Sequence, residues 1–218
     1  MNPRQRIREI LELQLQRLTD FKAEQRTQRM EEVLEQVQLP MATLERYPHE
    51  FSGGQVQRIS ITRALISKLK LLLLDEPVFA LDVSVQAQIL LLLEVTRKEL
   101  GVTYGLISHD LAVVKQLCSN VLVMYAGTIV EGGPTRQLFK HHRHPNTDLL
   151  IRSVHVPGKS LALKTEQKVD VENPEGCACR NRCPRANQQC SRTPILSEAP
   201  GSMGGHERAC HYPLSKAA

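Results

Sequence analysis

The sequence predicts an α/β domain in which short apolar strands alternate with helices. Residues 71–74 form a continuous apolar run that ends in two acidic residues, as is typical of a buried parallel strand. Residues 83–100 have helical periodicity closed by Gly101, and a second apolar run follows at 102–107. Strand, helix and strand in succession predict a right-handed crossover within a parallel sheet.

The amino-acid composition fits a globular domain and argues against a nucleic-acid binder. With 218 residues, of which 41% are hydrophobic, the chain can bury the core of one domain and a small appendage. It has no Trp and only 4% aromatic residues, which argues against the stacking surfaces of single-stranded nucleic-acid binders. Its net charge of +5 comes from basic residues interleaved with acidic ones, which indicates a solvated surface.

Neither a signal peptide nor a membrane span is predicted. The N-terminus lacks the apolar core of a signal peptide, and no apolar run reaches the roughly 18 to 20 residues that a span requires. The sequence therefore predicts a chain that is cytosolic or bound to a membrane partner.

Two amphipathic helices are predicted at the N-terminus. Asn2 can cap the first, with Pro3 at its first position and apolar residues at helical spacing from Ile7 to Leu18. The second has its apolar stripe at residues 30–37 and ends before Pro40.

A Gly-rich segment opens the next helix. Ser52 and Gln55 have the spacing of a capping box, and Gly53 and Gly54 lie between them. Backbone N–H groups at such a helix start can bind phosphate, although a Ser-Gly-Gly segment is more often only a cap.

Acidic residues follow the first predicted strand. Asp75 and Glu76 would lie at the carboxyl edge of the sheet, where Asp75 could hold magnesium and Glu76 could polarise a water molecule. His109, at the end of the next strand, could reach the same edge and contact a terminal phosphate. The alternative is that the acids merely end a strand and that the histidine is structural.

The rest of the chain divides into a patterned and an unpatterned part. A helix at 111–117, a hairpin at 121–131 and short helices near 135–139 and 147–154 are predicted. From Pro157 onward the sequence is polar and rich in Pro and Cys, so that another constraint must order it or it is disordered. Three nearby histidines, His141, His142 and His144, are interpreted as a polar surface turn.

Several segments in order resemble the motifs of ABC ATPases, and the resemblance covers nearly the whole chain. FSGGQVQR at 51–58, LLLLDEP at 71–77, ALD at 80–82 and SHD at 108–110 resemble the signature, Walker B, D-loop and H-loop. The segments at 82–88, 123–131 and 144–147 resemble the oligopeptide and dipeptide importer branch, which usually has Tyr where this chain has Asn146.

The resemblance assigns roles to the candidate residues. It implies that four signature residues and the D-loop acid act on ATP held by a partner subunit; they are Ser52, Gly53, Gly54, Gln55 and Asp82. It also implies three roles within the chain: Asp75 for Mg²⁺, Glu76 as general base and His109 as γ-phosphate sensor.

The architecture implied is an incomplete P-loop NTPase domain. A helical subdomain would span residues 1–47, the catalytic part 48–133 and a Cys-containing extension 134–218. The implied function is that of an ATP-binding and ATP-hydrolysing subunit that energises import of peptides or related small solutes. The implied partners are a second ABC ATPase subunit, in a homo- or heterodimer, and membrane permeases, with no nucleic acid. The implied location is cytoplasmic, peripheral on the inner face of the cell membrane.

The sequence departs from the family pattern in two places. It contains no Gly-x-x-x-x-Gly-Lys-Ser/Thr segment, adenine-stacking aromatic or Q-loop glutamine, so we expect it to begin mid-domain and to be inactive alone. By family topology an apolar sheet edge would then be exposed and prone to association. Val78 and Phe79 stand where the family usually has small hydroxylated residues, which would loosen communication between sites.

Three rival interpretations remain. A non-catalytic partner subunit would supply only the trans signature half of an ATP site. A DNA-repair type of ABC ATPase is disfavoured by the lack of long heptads and by the tail. A metal-binding module on an inactive ATPase scaffold is the third.

Cysteines in the tail resemble the cysteine-bearing extension of peptide importer ATPases. Cys177, Cys183, Cys190 and Cys210 have a spacing that suits a [4Fe–4S] cluster or a structural Zn²⁺. Cys179 would be a spare, at a position where the family usually has an aromatic residue. The alternative is free thiols in a flexible tail.

Overall fold

The computed structural model describes residues 1–153, 175–198 and 205–214. The chain divides into two compact units, Met1–His109 and Asp110–Ala218, and each contains its own sheet.

The first unit begins with three helices. They are α1 (Ile7–Leu18), α2 (Ala23–Gln36) and α3 (Gly53–Leu65), with short 3₁₀ helices at Met41–Glu45 and Pro48–Glu50. The predicted cap at Asn2 is wrong: Asn2 Oδ1 instead accepts the backbone N–H of Arg4 at 3.1 Å and closes a turn. The helix starts only after Arg6, whose N–H donates to Glu9 Oε2 at 3.3 Å.

A buried arginine joins α2 to the end of α3. Arg29 is 4% exposed, and its guanidinium donates to the carbonyl oxygens of Ile66 at 3.1 Å and Leu65 at 3.0 Å. These are among the carbonyl groups that a helix end leaves without intrahelical partners, so the cation also meets the negative end of the helix dipole.

The sheet of this unit is the predicted parallel pair. Strand β1 (Leu71–Asp75) pairs with β2 (Thr103–Ile107) in register, and α4 (Val83–Leu100) connects them. Gly101 ends α4 in the left-handed region at φ 63°, which a Gly adopts without strain.

The buried strand predicted at residues 71–74 is buried on one face only. Leu72 and Leu74 are each 8% exposed, whereas Leu71 is 56% and Leu73 74% exposed. Side chains alternate between the two faces of a strand, and the described part of this unit packs on one face alone.

The second unit begins with the predicted helix and hairpin. Helix α5 (Leu111–Leu117) leads to β3 (Asn120–Tyr125), which pairs antiparallel with β4 (Thr128–Pro134). Ala126 and Gly127 form the turn with φ of 47° and 76°, the two positive values that a tight hairpin turn needs. Helices α6 (Thr135–His141) and α7 (Pro145–Ser153) follow.

The tail adds strands to this hairpin. Strand β6 (Glu207–Arg208) pairs antiparallel with β4, and β5 (Ser197–Glu198) pairs with β6, which gives the order β3-β4-β6-β5. A 3₁₀ helix at Gln188–Ser191 precedes them. Backbone pairing thus joins residues 207–208 of the tail to the hairpin and residues 197–198 to residues 207–208. Within the parts of the chain that the structure describes, no helix combines the length and the apolar character needed to cross a bilayer.

Candidate functional site

The start of α3 is held by the predicted capping box. Ser52 Oγ accepts the N–H of Gln55 at 3.5 Å, and Gln55 Oε1 accepts the N–H of Ser52 at 3.0 Å. The reciprocal pair fixes the backbone through Gly53 and Gly54 at the first turn of the helix.

The start of α4 is capped by Asp82. Its Oδ1 accepts the hydroxyl of Ser84 at 2.6 Å and the N–H of Val85 at 2.9 Å. These two hydrogen bonds, the first from Ser84, lower the pKa of Asp82 below its ordinary value. The carboxylate therefore stays ionised at the positive end of the α4 dipole.

The two glycines of α3 allow it to approach α4 closely. A Cβ atom on Gly54 would lie 2.4 Å from Val85 Cγ1, whereas one on Gly53 would lie 3.8 Å from Leu81 Cδ2. The first distance is a clash and the second is an ordinary contact, so Gly54 is the residue that the packing requires.

A polar contact one turn further on shows that the helices run in the same direction. Arg58 Nη2 donates to Gln88 Oε1 at 3.2 Å, so residues 54–58 of α3 lie beside residues 85–88 of α4. Ser52 and Asp82, the two caps, therefore lie at the same end of the helix pair. The positive ends of both helix dipoles lie at this end, where the N–H groups of Gly53 and Gly54 can bind an anion and the Asp82 carboxylate caps α4.

The strand ends bring two further candidates together. Glu76 N–H continues the ladder to Ile107 O at 2.9 Å, and Glu76 Oε1 accepts the backbone N–H of His109 at 3.1 Å. The same oxygen lies 2.7 Å from His109 Nδ1. Asp75 occupies the last position of β1 on its exposed face, beside Glu76.

Phe79 makes a contact at this site that sequence reasoning missed. The residue is 67% exposed, and its ring lies edge-on to the ring of His109, with centroids 5.8 Å apart and planes at 72°. Val78, by contrast, is buried, at 6% exposed. Phe79, which departs from the family pattern, thus lies directly against the candidate residue His109.

Glu131 anchors the tail in the second unit. Its carboxylate is fully buried and accepts the backbone N–H groups of Arg143 at 2.5 Å and His144 at 3.0 Å. His206 Nε2 lies 2.7 Å from Glu131 Oε1, and His206 is 1% exposed. The signal in the sequence was an acid inside a strand that is otherwise apolar and Gly-rich.

The histidine segment is not the predicted surface turn. His142 is 6% exposed and His144 is 1% exposed, whereas His141 is exposed. The loop is drawn inward because its backbone N–H groups bind the buried carboxylate of Glu131. His142 Nε2 lies 2.9 Å from Asp148 Oδ1.

The tail cysteines pack beside the hairpin. Cys179 is 2% exposed within an apolar cluster completed by Val123, Val130 and Leu138. Cys177 and Cys183 pack against that cluster, and the N–H of Cys177 donates to the carbonyl of Cys190 at 2.9 Å.

The thiols perturb one another. The neighbouring thiol of Cys179 and, less strongly, the ring of His144 lower the pKa of Cys177 to about 4. The same pairing raises the pKa of Cys179. The thiol of Cys177 therefore ionises more readily than that of Cys179.

Cys210 belongs to the same group of thiols. Burial raises its pKa to about 11, and the charges of Cys177, Cys183 and Cys190 also raise it. The four predicted ligands are thus within electrostatic reach of one another. In the described ranges, no three His, Cys, Asp or Glu side chains have the arrangement of a metal site.

Two family models match the chain. The model described as ABC transporter matches residues 1–79, and the model described as oligopeptide/dipeptide transporter, C-terminal region, matches residues 130–190.

Curated relatives match most of the chain. A protein of Brucella ovis named as a peptide import ATP-binding protein is 43% identical across 96% of this chain and 67% of its own length. The oligopeptide transport ATP-binding protein OppF of Escherichia coli is 42% identical across 90% of this chain and 61% of its own. AppF of Bacillus subtilis, of the same description, is 40% identical across 97% and 66%. The chain thus spans about two thirds of these relatives.

Solved structures match the fold. The cbiO1 protein from Clostridium perfringens, part of the ABC transporter complex cbiONQ, has a TM-score of 0.55 and 27% identity over 62% of this chain and 53% of its own. The ATP-binding cassette MJ0796, solved as a dimer bound to ADP and Pi, has a TM-score of 0.54 and 29% identity over 62% and 58%. The chain spans little more than half of each solved cassette.

Proposed function

The chain belongs to the ATP-binding subunits of ABC transporters, in the oligopeptide and dipeptide importer branch, and we propose from this membership that it works in a dimer that hydrolyses ATP to energise uptake of peptides or related small solutes. The relatives are named as ATP-binding proteins of peptide transport, which supports this interpretation over the non-catalytic alternative. The solved dimer supports a second ATPase subunit as partner. The further partners are membrane permeases, at the cytoplasmic face of the cell membrane.

The paired N-termini of α3 and α4 are the observation that carries the proposal. Ser52 with the N–H groups of Gly53 and Gly54 would bind the γ-phosphate of ATP held by the partner subunit, while Gln55 keeps Ser52 in place through the capping box. Asp82, at the same end of the helix pair, would contact the partner across the dimer.

The strand ends would supply the hydrolytic groups of the chain's own site. Asp75 would hold Mg²⁺, which supplies charge neutralisation on the phosphates when bound. The Glu76 carboxylate contacts His109 through Oε1, so Oε2 is the oxygen that would accept the proton of the attacking water. His109, oriented by Glu76 and Phe79, would contact the γ-phosphate.

The trans half-site is tested by ATP hydrolysis in mixtures. The purified chain is titrated into a full-length partner subunit of this branch, and the rate is compared for wild type, Ser52→Ala and Ser60→Ala. Ser60 is a matched control, because it lies in the same helix and its hydroxyl donates to Val56 O at 3.0 Å, away from the N-terminus. We expect Ser52→Ala to lose about tenfold or more of the stimulated rate, and Ser60→Ala to keep it. If the stimulated rate of ATP hydrolysis is the same with Ser52→Ala as with wild type, the proposal is contradicted.

For the tail we propose a metal site that binds a [4Fe–4S] cluster or a Zn²⁺ ion. Its ligands would be Cys177, Cys183, Cys190 and Cys210. Two observations support this site. The charges of Cys177, Cys183 and Cys190 raise the pKa of Cys210, and the backbone N–H of Cys177 donates to the carbonyl oxygen of Cys190. Thiolates are the ligands that both groups prefer.

Metal content of anaerobically purified chain tests the tail site. About four iron and four sulfide per chain would identify the cluster, and about one zinc the ion. Cys183→Ala should abolish binding, whereas Cys118→Ala, outside the tail, should retain it. A wild-type chain without iron or zinc would refute the site.

A further inference from the structure

A tight turn after β1 carries Phe79 outward. The backbone N–H of Phe79 donates to the carbonyl oxygen of Glu76 at 3.1 Å, which closes the turn. Glu76 and Ala80, on either side of it, have positive φ angles of 47° and 60°, which residues with a Cβ atom seldom adopt. Val78 is 6% exposed, whereas Phe79 is 67% exposed. The turn therefore has an unusual backbone that buries one side chain and exposes the next.

The exposed ring of Phe79 packs against the ring of His109. The ring centroids lie 5.8 Å apart and the planes make an angle of 72°, which is the edge-to-face arrangement that aromatic pairs prefer. The side chain of His109 is 68% exposed, so protein atoms cover only a small part of the imidazole. The orientation of this ring therefore depends on a small number of contacts, of which Phe79 makes one.

A second contact fixes which ring nitrogen of His109 carries the proton. Glu76 Oε1 lies 2.7 Å from His109 Nδ1 and accepts the backbone N–H of His109 at 3.1 Å. An ionised carboxylate can only accept hydrogen bonds, so Nδ1 is the donor and the neutral ring carries its proton there. Nε2 is then the nitrogen that would donate to the γ-phosphate, which it can do when the ring is an imidazolium.

We propose that Phe79 is a positioning residue of His109, whose ring contact keeps Nδ1 on Glu76 Oε1. The inference rests on the function proposed above, in which His109 meets the γ-phosphate. If the imidazole turned out of its plane, Nδ1 would move off the carboxylate and the edge-to-face contact would break. The two contacts therefore support each other. A small hydroxylated side chain, which is usual in the family at this position, has no ring with which to make this contact.

The proton position on the neutral ring of His109 reports its orientation. In NMR spectra of the chain without nucleotide, the ¹³Cδ2 and ring ¹⁵N chemical shifts give the ratio of the Nδ1–H form to the Nε2–H form. His109→Gln assigns the signals among the 8 histidines of the chain. Glu76→Ala removes the acceptor and gives the ratio for a ring that this carboxylate does not hold. We expect the Nδ1–H form to predominate in wild type, and the ratio to fall about two- to tenfold in Phe79→Ser.

Two further variants separate the ring contact from general loosening. Phe79→Tyr keeps the aromatic ring and should keep the wild-type ratio. Val83→Ser should also keep it, because Val83 is an 83% exposed apolar residue of the same segment, at the first position of α4. The measurement needs no ATP, so its outcome is independent of the mixing assay that tests the proposed function.

Four outcomes would overturn the proposal. They are a wild-type ring with its proton on Nε2, a Phe79→Ser ratio equal to that of wild type, a Phe79→Tyr ratio as low as that of Phe79→Ser, and an equal fall in Val83→Ser.

Discussion

At the scale of single residues, the fully buried carboxylate of Glu131 needs several hydrogen-bond donors. A buried carboxylate must be compensated by hydrogen bonds, and Glu131 has three such partners. Two of the donors are backbone N–H groups of the loop after α6, and the third is His206 in the tail. One side chain therefore holds the loop and the tail on β4.

We expect Glu131→Gln to destabilise the second unit by about 3 kcal/mol. The amide has one acceptor oxygen, and its N–H₂ group would face a donor, so at least one buried N–H loses its partner. Urea unfolding measures the loss. Glu207→Gln, on the partially exposed strand β6, is the control and should change stability little. A Glu131→Gln variant as stable as this control would show that the buried carboxylate is dispensable.

The sequence predicts local partners well and distant partners poorly. Ser52 and Gln55 are three residues apart, so their capping box follows from spacing alone. Glu131 and His206 are 75 residues apart, and no periodicity links them. The burial of His142 and His144 follows from the hydrogen bonds that the backbone of Arg143 and His144 donates to the same carboxylate, 12 and 13 residues away, and no periodicity predicts these contacts either.

At the scale of secondary-structure elements, the closeness of α3 and α4 depends on one glycine. We expect Gly54→Ala to cost about 1 to 3 kcal/mol, because the added Cβ would lie 2.4 Å from Val85 Cγ1 and Val is stiff at χ1. Gly53→Ala is the matched control, since its Cβ would lie 3.8 Å from Leu81 Cδ2. The two variants are compared by thermal unfolding and by their stimulation of ATP hydrolysis in the mixing assay described above.

Relief by a second substitution distinguishes a steric effect from a loss of backbone freedom. In Gly54→Ala with Val85→Ala, the nearest remaining atom of residue 85 would be its Cβ at 3.6 Å, an ordinary contact. We expect the pair to be coupled, with the double variant less destabilised than the sum of the single variants. Additive effects would mean that α3 and α4 do not press on each other at this point.

The strands show a similar limit: the sequence pattern predicts a long strand, but packing decides which of its faces are buried and whether a very short strand forms. The apolar run of β1 predicts a strand, but whether both faces are buried depends on what packs there, which the run does not encode. The two-residue strands β5 and β6 are too short to carry any pattern, and they exist because β4 offers them an edge.

At the scale of the whole molecule, the exposed face of the parallel pair carries three large apolar side chains. Leu71, Leu73 and Ile107 are 56%, 74% and 62% exposed, and Leu73 lies over Gly105 of the neighbouring strand. Contiguous exposed apolar surface of this kind promotes association. It is a face of the sheet, whereas the sequence predicts association through a sheet edge.

We expect Leu73→Thr to weaken concentration-dependent self-association of the chain in the absence of nucleotide. Thr keeps a high preference for strands, so the substitution removes apolar area from the exposed face without unfolding β1. Sedimentation velocity across a concentration series measures the effect. Leu91→Thr is the control, because Leu91 is a 60% exposed leucine on α4, outside the sheet. If both variants associate as the wild type does, the sheet face is not the contact; if both weaken association equally, exposed leucine in general drives it.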